Sequence, residues 1–253
     1  MLAPERQQQI LSHLEAQGVV RTISLAKAME VTDETIRRDL QVLEAEGKLV
    51  RVHGGASNQK NPFELRSFNE RRNLNIEAKK AIAQAALTLI QPHHTYAFDS
   101  STTALALVDL LPNQPYRVIT NAHAVLENLK HKEAIELVAT GGRYHLKTNT
   151  YTGGDSLQAL SRHKVDVAFI SCIGFDAERG ASEGFEAQAT YKENLVQLAE
   201  KVVLLMDSSK MQLQSEYFFA PVEQIDHIIT DRELDPSAEA AIRARGRELT
   251  IAD

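Results

Sequence analysis

The sequence predicts an α/β protein in which an N-terminal winged helix-turn-helix precedes a mainly parallel α/β domain. Within residues 1–56, three short helical patterns are followed by an alternating segment and a Gly-Gly turn. From Glu77 onward, short apolar runs alternate with stretches compatible with helix, which is typical of βαβ units. We therefore predict a first domain over 1–56, a linker over 57–76 and a second domain over 77–253.

Each element of the first domain has a start or stop signal. Ile10, Leu11 and Leu14 recur at helical spacing, and Gly18 ends that first helix. A second short helix fits residues 22–29. A third begins after Thr32, a good N-cap, and runs to about Glu46. Residues 48–53 then alternate polar and apolar and predict a wing strand.

The second domain is predicted from short apolar runs and the helices between them. Strands are predicted at 95–99, 117–120, 136–140, 166–172, 202–207 and 227–230. Helices are predicted at 77–90, 102–111, 122–130, 186–200 and 236–246. Such alternation favours a sheet covered on both faces.

Composition excludes several classes of protein. The 253 residues are 43% hydrophobic and 25% charged, a globular balance that excludes disordered and fibrous chains. The chain has no apolar run long enough to cross a membrane and no signal-peptide pattern, so we expect no membrane partner. Cys172 is the one cysteine, which argues for a reducing compartment and a cytoplasmic location.

Local charge permits nucleic-acid binding although the net charge is −6. The third helix turns Thr35, Arg37 and Arg38 partly toward solvent near its start, where such a helix reaches base edges in the major groove of DNA. Arginine suits guanine bidentately, and Arg or Thr also suits phosphate. The alternative is a solvated helix face on which neighbouring acids balance the two arginines.

A candidate anion site follows the first strand of the second domain. Asp99 precedes the hydroxyl residues Ser100, Ser101, Thr102 and Thr103, and helix N-termini bind anions at the carboxyl edge of a parallel sheet. Asp99 could accept hydrogen bonds from sugar hydroxyls while the following residues bind phosphate. The alternative is an ordinary helix start capped by a hydroxyl.

Further candidates come from the ends of other predicted strands. Thr120-Asn121 and Gly141-Gly142 each follow a strand, and Lys210 follows another. Glu186 and Lys192 lie six apart on one predicted helix and hence not on the same face. Lysines near hydroxyl-rich loops suit a phosphate, although a lone lysine is more often an ordinary surface residue.

We expect no metal site and no cofactor. His93-His94 is not accompanied by other ligands at metal-binding spacing, so an exposed turn is the simpler interpretation. Cys172 lies in an apolar run and is expected to be a core residue.

The first 56 residues resemble the DNA-binding domain of the DeoR family of bacterial transcription regulators. The matching segments are Leu25-Ala26, Val31-Thr32, Thr35 to Leu40 and His53-Gly54-Gly55-Ala56, together with Arg6, Leu43 and Gly47. Two positions depart from the family pattern, Arg21 and Glu30; Glu30 replaces a turn glycine, so that turn would be strained at positive φ. The resemblance implies contacts with an operator in double-stranded DNA by Arg6, Thr32, Thr35, Arg37, Arg38, Lys48, Arg51 and His53.

The remaining residues resemble the sugar-phosphate sensor domain of the same family, which is related in fold to ribose-5-phosphate isomerase and the CoA-transferases. The matching segments include Asp99 to Thr103, Gly174-Phe175-Asp176 and Asp207 to Lys210. The implied effector-binding residues are Asp99, Ser100, Ser101, Thr102, Thr103, Thr120, Asn121, Gly141, Gly142, Glu186, Lys192 and Lys210. Ser101 replaces a family glycine. The pattern is most similar to the branch of the L-fucose operon activator, which implies L-fuculose 1-phosphate as ligand.

Three functions are compatible with parts of this sequence. A ligand-controlled regulator explains both domains, and we expect a homo-oligomer, because one winged module contacts too few bases. An enzyme related to sugar-phosphate isomerases could use Glu186, Lys192 and Asp99 for acid/base work, but would leave the DNA module unexplained. A structural nucleoid protein would leave the ligand-like loops unexplained.

Overall fold

The computed structural model describes residues 2–52, 54–57 and 66–253. The chain divides into two compact units, Met1–Glu64 and Leu65–Asp253, so the division falls inside the segment predicted as a linker. Each unit has apolar cores of its own.

The first unit is built from short helices and a small antiparallel sheet. Its elements are α1 (Ala3–Gln17), β1 (Val19–Arg21), α2 (Thr22–Ala28), α3 (Asp33–Ala45), β2 (Val50–Val52) and β3 (Gly55–Ser57). The sheet order is β1-β3-β2, and β3 pairs antiparallel with both neighbours. Ile10, Leu14, Ile36, Leu40 and Leu43 are buried together, as their helical spacing predicts.

Two turns of this unit follow the predicted backbone chemistry. Gly18 ends α1 in the left-handed conformation at φ 74°. Glu30, between α2 and α3, has φ 53°, which is the condition under which this turn was expected to be strained. Within the sheet, a Cβ on Gly55 would lie 1.9 Å from the Val20 carbonyl oxygen, so only glycine fits there.

The second unit contains a parallel sheet in the order β15-β14-β12-β9-β4-β5-β6. Its strands are β4 (Thr95–Phe98), β5 (Arg117–Thr120), β6 (Glu136–Ala139), β9 (Val165–Ile170), β12 (Ala199–Leu205), β14 (His227–Asp231) and β15 (Glu248–Ala252). The helices are α4 (Phe68–Arg72), α5 (Ile76–Leu87), α6 (Thr102–Leu110), α7 (His123–Leu129), α8 (Gly154–Leu160), α9 (Glu186–Leu198) and α10 (Pro236–Ala244).

Apolar cores cover both faces of this sheet, as a parallel sheet requires. On one face Phe98 and Phe169, from adjacent strands, stack with ring centroids 5.3 Å apart. On the other face Ala97 and Ala168 pack with Ile170 in a second core. Cys172 lies in that second core, and burial raises the pKa of its thiol to about 12, which confirms the predicted core position.

Several elements are absent from the sequence-based prediction. They are the strands β1 and β3 of the first unit, the hairpin β7 (Arg143–His145) and β8 (Thr150–Thr152), the antiparallel sheet of β10 (Gly174–Asp176), β11 (Gly180–Glu183) and β13 (Tyr217–Ala220), the terminal strand β15, and the helices α4 and α8. Residues 66–76, predicted as part of a linker, instead contain α4 and the start of α5. The predicted helix 77–90 ends at Leu87, and the predicted helix 186–200 ends at Leu198 because β12 begins at Ala199.

Among residues 2–52, 54–57 and 66–253, none of the helices has both the length and the apolar character that crossing a membrane requires. The same described residues contain no group of His, Cys, Asp or Glu side chains that could hold a metal ion.

Candidate functional site

The start of α3 forms an exposed, hydroxyl-rich and basic surface. Thr32 caps the helix, and its Oγ1 accepts a hydrogen bond from the Thr35 N–H at 3.3 Å. The two threonine hydroxyls lie 2.9 Å apart. Arg37 and Arg38 are exposed, whereas the preceding Ile36 is buried. The predicted orientation of the α3 side chains is therefore the one observed.

The charge balance on α3 is local and weak. Arg38 forms an ion pair with Glu34 at 3.4 Å, in which the two side chains are 77% and 64% exposed. Exposed pairs of this kind contribute only about 0–1 kcal/mol to stability. A phosphate or a base edge could therefore displace Glu34 at small energetic cost.

Arg6 occupies a different environment from that of a DNA contact. Its Nε lies 2.5 Å from Asp39 Oδ2, and both side chains are buried. Gln7 Nε2 donates a second hydrogen bond to Asp39 at 3.1 Å. The contact predicted for Arg6 is thus corrected: a buried, paired guanidinium ties α1 to α3 and positions the helix that carries Arg37.

The wing supplies further cations. Lys48 is exposed and pairs with Glu46 at 2.8 Å. Arg51 is exposed, and its backbone N–H donates to Glu44 Oε1 at 3.0 Å, which attaches the wing to α3. His53, also predicted as a DNA contact, lies outside the described residues.

In the second unit, Asp99 lies at the carboxyl end of β4 and is fully buried. Its Oδ1 accepts the Ser101 N–H at 2.9 Å, and its Oδ2 accepts the Ser171 N–H at 2.8 Å. Asp99 Oδ2 also lies 3.0 Å from Lys192 Nζ. These bonds organise the loops around the site. The role of Asp99 in accepting sugar hydroxyls stays a prediction, because a carboxylate oxygen can accept a second hydrogen bond.

Lys192 sits between two carboxylates. Its Nζ donates to Glu183 and to the Ser171 carbonyl oxygen at 2.7 Å, besides pairing with Asp99. Burial alone would lower the pKa of Lys192, but Asp99 and Glu183 outweigh it and raise that pKa. Glu186, predicted as a site residue, is exposed on α9 and is not one of the two acids that pair with Lys192.

The start of α6 combines capping with free polar groups. Ser101 Oγ accepts the Ala104 N–H at 3.0 Å, which is the ordinary capping role considered as the alternative. Ser100 Oγ accepts a bond from Gln188 Nε2 at 3.1 Å. Within residues 66–253, the buried Thr103 hydroxyl has no hydrogen-bond partner. The first turn of α6 therefore keeps polar capacity for a ligand.

The candidate residues after β5 and β6 lie along the same edge of the sheet. Thr120 Oγ1 donates to the Phe98 carbonyl oxygen at 2.8 Å. Asn121 Nδ2 donates to the Tyr151 carbonyl oxygen at 3.0 Å, whereas its buried Oδ1 has no partner in the described part of this unit. Gly142 has φ 107°, and a Cβ there would lie 2.6 Å from the Thr152 carbonyl oxygen, so Gly141-Gly142 shapes the turn.

Lys210 completes the cluster from the short helix after β12. Its Nζ donates to Ser171 Oγ at 2.9 Å and lies 3.7 Å from Asp207 Oδ2. Its side chain is 19% exposed, so it faces solvent more than Lys192 does. Lys192 and Lys210 therefore meet at Ser171, next to the loop of Asp99.

Sequence reasoning missed four members of this cluster: Arg71, Lys79, Ser171 and Glu183. Arg71 and Lys79 come from the basic stretch 57–80, whose six Lys/Arg against three Asp/Glu was the available signal. Ser171 lies at the end of the predicted strand 166–172, so a strand end was its available signal, whereas Glu183 carried no signal because its strand was not predicted.

Comparisons with known proteins agree with both units. A model of the DeoR-like helix-turn-helix domain matches residues 6–61. A model of the DeoR C terminal sensor domain matches residues 74–232. The chain belongs to the DeoR family. As a DeoR-family protein it is a DNA-binding transcription regulator, which confirms the resemblance stated above.

Relatives of this DeoR-family chain match it along nearly its whole length. An HTH-type transcriptional regulator of Bacillus subtilis, YulB, is 36% identical over 99% of this chain and 97% of its own. The L-fucose operon activator of Haemophilus influenzae is 34% identical over 90% of this chain and 92% of its own. Both relatives are named as regulators and not as enzymes, in agreement with the predicted function class.

Solved structures were also compared with this chain. Ribose 5-phosphate isomerase A of Methanocaldococcus jannaschii is 19% identical and aligns with 54% of this chain and 55% of its own, at a TM-score of 0.41. The predicted fold class, a helix-turn-helix followed by a parallel α/β domain, is confirmed.

Proposed function

We propose that this DeoR-family chain regulates a sugar-catabolism operon and that a phosphorylated sugar, bound in the second unit, controls its affinity for operator DNA. The observation that carries the sensor part is the meeting of Lys192 and Lys210 at Ser171, beside the first turn of α6. Cations next to a helix N-terminus at the carboxyl edge of a parallel sheet form an environment suited to phosphate.

Within this site the residues take different roles. Lys210 and the α6 start from Ser100 to Thr103 bind the phosphate, and the unpartnered Asn121 Oδ1 accepts a sugar hydroxyl. Asp99, Glu183 and Lys192 hold the surrounding loops. L-fuculose 1-phosphate is the first candidate ligand, supported by the similarity to an L-fucose operon activator.

The DNA part of the proposal rests on α3 and the wing. Arg37 and Thr35 face base edges or phosphates in the major groove, and Arg38 gives up Glu34 to do so. Lys48 and Arg51 contact the DNA backbone. A homo-oligomer that spans repeated half-sites supplies enough contacts for tight binding, and a DNA partner requires a cytoplasmic location.

Control of DNA binding follows from linkage. A sugar phosphate that prefers one arrangement of the oligomer shifts the population toward it, and DNA affinity changes by the same coupling free energy.

The test uses the full-length chain. Fragments bound from a genomic DNA pool are selected and sequenced, and the strongest is titrated with and without a panel of sugar phosphates and the matching free sugars. We expect one sugar phosphate both to raise the melting temperature and to change DNA affinity, while its free sugar does neither. Failure to enrich any DNA at low salt, with and without the panel, would contradict the proposal.

A further inference from the structure

Arg71 comes from the first helix that follows the division between the units. That helix, α4, is firmly attached: Ser67 and Glu70 cap it reciprocally, and Phe68 is buried in the core of the second unit. The Phe68 N–H also donates to the Lys147 carbonyl oxygen at 2.8 Å, on the β7–β8 hairpin. The backbone of Arg71 is therefore part of the second unit, six residues after its first residue, Leu65.

Two nitrogen atoms of the Arg71 guanidinium are buried without hydrogen-bond acceptors among the described residues. Its Nε and Nη2 atoms have no partner among residues 66–253, and its nearest ring contact is Phe68, 5.8 Å from the guanidinium carbon to the ring centroid. Buried guanidinium donors normally have partners, so two without any indicate an interaction that the protein side chains do not supply.

The neighbouring carboxylates attract Arg71 but do not bind it. Burial lowers the pKa of Arg71, and Glu183 and Asp99 oppose that shift. Both carboxylates are already committed to Lys192. Arg71 thus stays a cation beside the site while its donors remain available to a ligand.

The polar groups on the other side of Arg71 suit an anion. Thr102 Oγ1 donates to the Arg71 carbonyl oxygen at 3.4 Å, so α4 meets the first turn of α6. Thr103 Oγ1, one residue on, is buried and unpartnered. A guanidinium fork together with a helix N-terminus is a strong arrangement for phosphate.

Lys79 adds positive charge and holds the end of α4. Its Nζ donates to the Arg71 carbonyl oxygen and, at 2.6 Å, to that of Leu74. Burial, followed by repulsion from Lys210, lowers the pKa of Lys79 to about 8, so positive charge is crowded here. A phosphate dianion would relieve that crowding.

We propose that Arg71 binds the phosphate of the effector and that this contact links ligand binding to the position of α4, the helix adjoining the connection to the DNA-binding unit. The inference rests on the proposed sensor function. It adds the residue that binds the phosphate and the route by which binding is coupled to α4. Ligand binding gives the Arg71 donors their acceptors, which fixes α4 more tightly than core packing alone.

The test compares Arg71→Gln and Arg71→Lys with Arg72→Gln, which removes an exposed charge from the same helix. Full-length proteins are titrated with inorganic phosphate at constant ionic strength, and then with the sugar phosphates that shift the melting temperature of the wild type. Binding is measured by thermal shift, and amide hydrogen exchange is followed over residues 68–75 with and without phosphate.

In the wild type and in Arg72→Gln we expect phosphate to raise the melting temperature and slow exchange at 68–75. In Arg71→Gln the apparent Kd should rise at least tenfold and the slowing should disappear, while Arg71→Lys should be intermediate. Without phosphate, Arg71→Gln should melt no lower than the wild type, because it loses an unpartnered cation. Arg71→Lys keeps the test valid if Arg71→Gln does not fold.

Three results would overturn the inference in distinguishable ways. Unchanged phosphate binding by Arg71→Gln would remove Arg71 from the site and leave the sensor function intact. Binding that depends on Arg71 without slowed exchange at 68–75 would refute the coupling through α4. Absence of binding of phosphate and of every sugar phosphate to the wild type would refute the proposed sensor function itself.

Discussion

The two units hold their functional cations in opposite ways. In the first unit Arg37 and Arg38 extend from α3 into solvent, and their charge is weakly compensated. In the second unit Lys192 is 3% exposed and lies between two buried carboxylates. An exposed cation can bind a polyanion directly and contributes little to the stability of the fold. A buried cation that neutralises buried acids contributes to that stability. Removing the first should reduce binding, and removing the second should reduce stability.

The largest expected effect is that of Lys192→Met. It leaves Asp99 and Glu183 buried without a counter-charge, so we expect the free energy of unfolding of the second unit to fall by about 3–5 kcal/mol. Chemical denaturation that follows this unit's transition measures the loss. Lys201→Met, which removes an exposed partner of Glu248, is the control and should cost less than about 1 kcal/mol. A loss below the control's would show that Lys192 is not needed to neutralise the two acids.

The second effect concerns the buried ion pair of Arg6 and Asp39 in the first unit. Arg6→Met leaves Asp39 buried with Gln7 as its remaining side-chain donor, and we expect a loss of roughly 3 kcal/mol in the stability of this unit. At temperatures where the variant stays folded, DNA affinity should change less than about twofold. Full stability with a large drop in affinity would instead make Arg6 a direct DNA contact.

A third effect should appear in binding alone. Arg37→Ala should weaken binding to the selected DNA by about 1–3 kcal/mol, as for an arginine that reads a base. Its free energy of unfolding should stay within about 0.5 kcal/mol of the wild type, because an exposed side chain is removed. Quantitative footprinting and denaturation give the two values. Lys164→Ala, in the second unit, is the charge-matched control and should bind DNA normally.

The last effect concerns pH. Burial lowers the pKa of Lys79 from 10.5 to about 8 in the folded chain. Between pH 8 and 10.5, Lys79 is therefore protonated in the unfolded chain and largely deprotonated in the folded chain. Stability therefore rises with pH across this window through Lys79, by up to about 1.4 kcal/mol per pH unit. We expect the stability of the wild type to rise relative to Lys79→Met between pH 8 and about 10. Parallel profiles would show that the folded pKa is not lowered.

The parallel strands could be predicted because their signal is local. The segments Thr95–Phe98 and Arg117–Thr120 are short apolar runs that are buried on both faces, and the structure has strands there. The strand Gly180–Glu183 carries no such run. It exists because the chain passes close to β13: a Cβ on Gly180 would lie 2.0 Å from the Ala220 carbonyl oxygen. That proximity belongs to the fold and leaves no pattern in the sequence.

The site shows the same limit. Asp99, Lys192 and Lys210 were predicted from strand ends and from the family resemblance, and the structure brings them together around Ser171. Glu186 was predicted as a site residue on a different helix face from Lys192, whereas Glu183, which pairs with Lys192, ends a strand that was not predicted. Arg71 lies in the segment 57–76, which was predicted to be a linker. Its position beside the site depends on the packing of Phe68 in the core of the second unit, and the sequence alone does not show that packing.

The sensor site draws its groups from Arg71 to Lys210, whereas the core of the first unit ends at Ala56. A ribosome that adds 5–20 residues per second needs about 8–30 s to move from the one point to the other. The whole core of the first unit is therefore synthesised before Lys210 of the proposed site. During that interval the growing polypeptide lacks Lys210 and so cannot complete the proposed sugar-phosphate site.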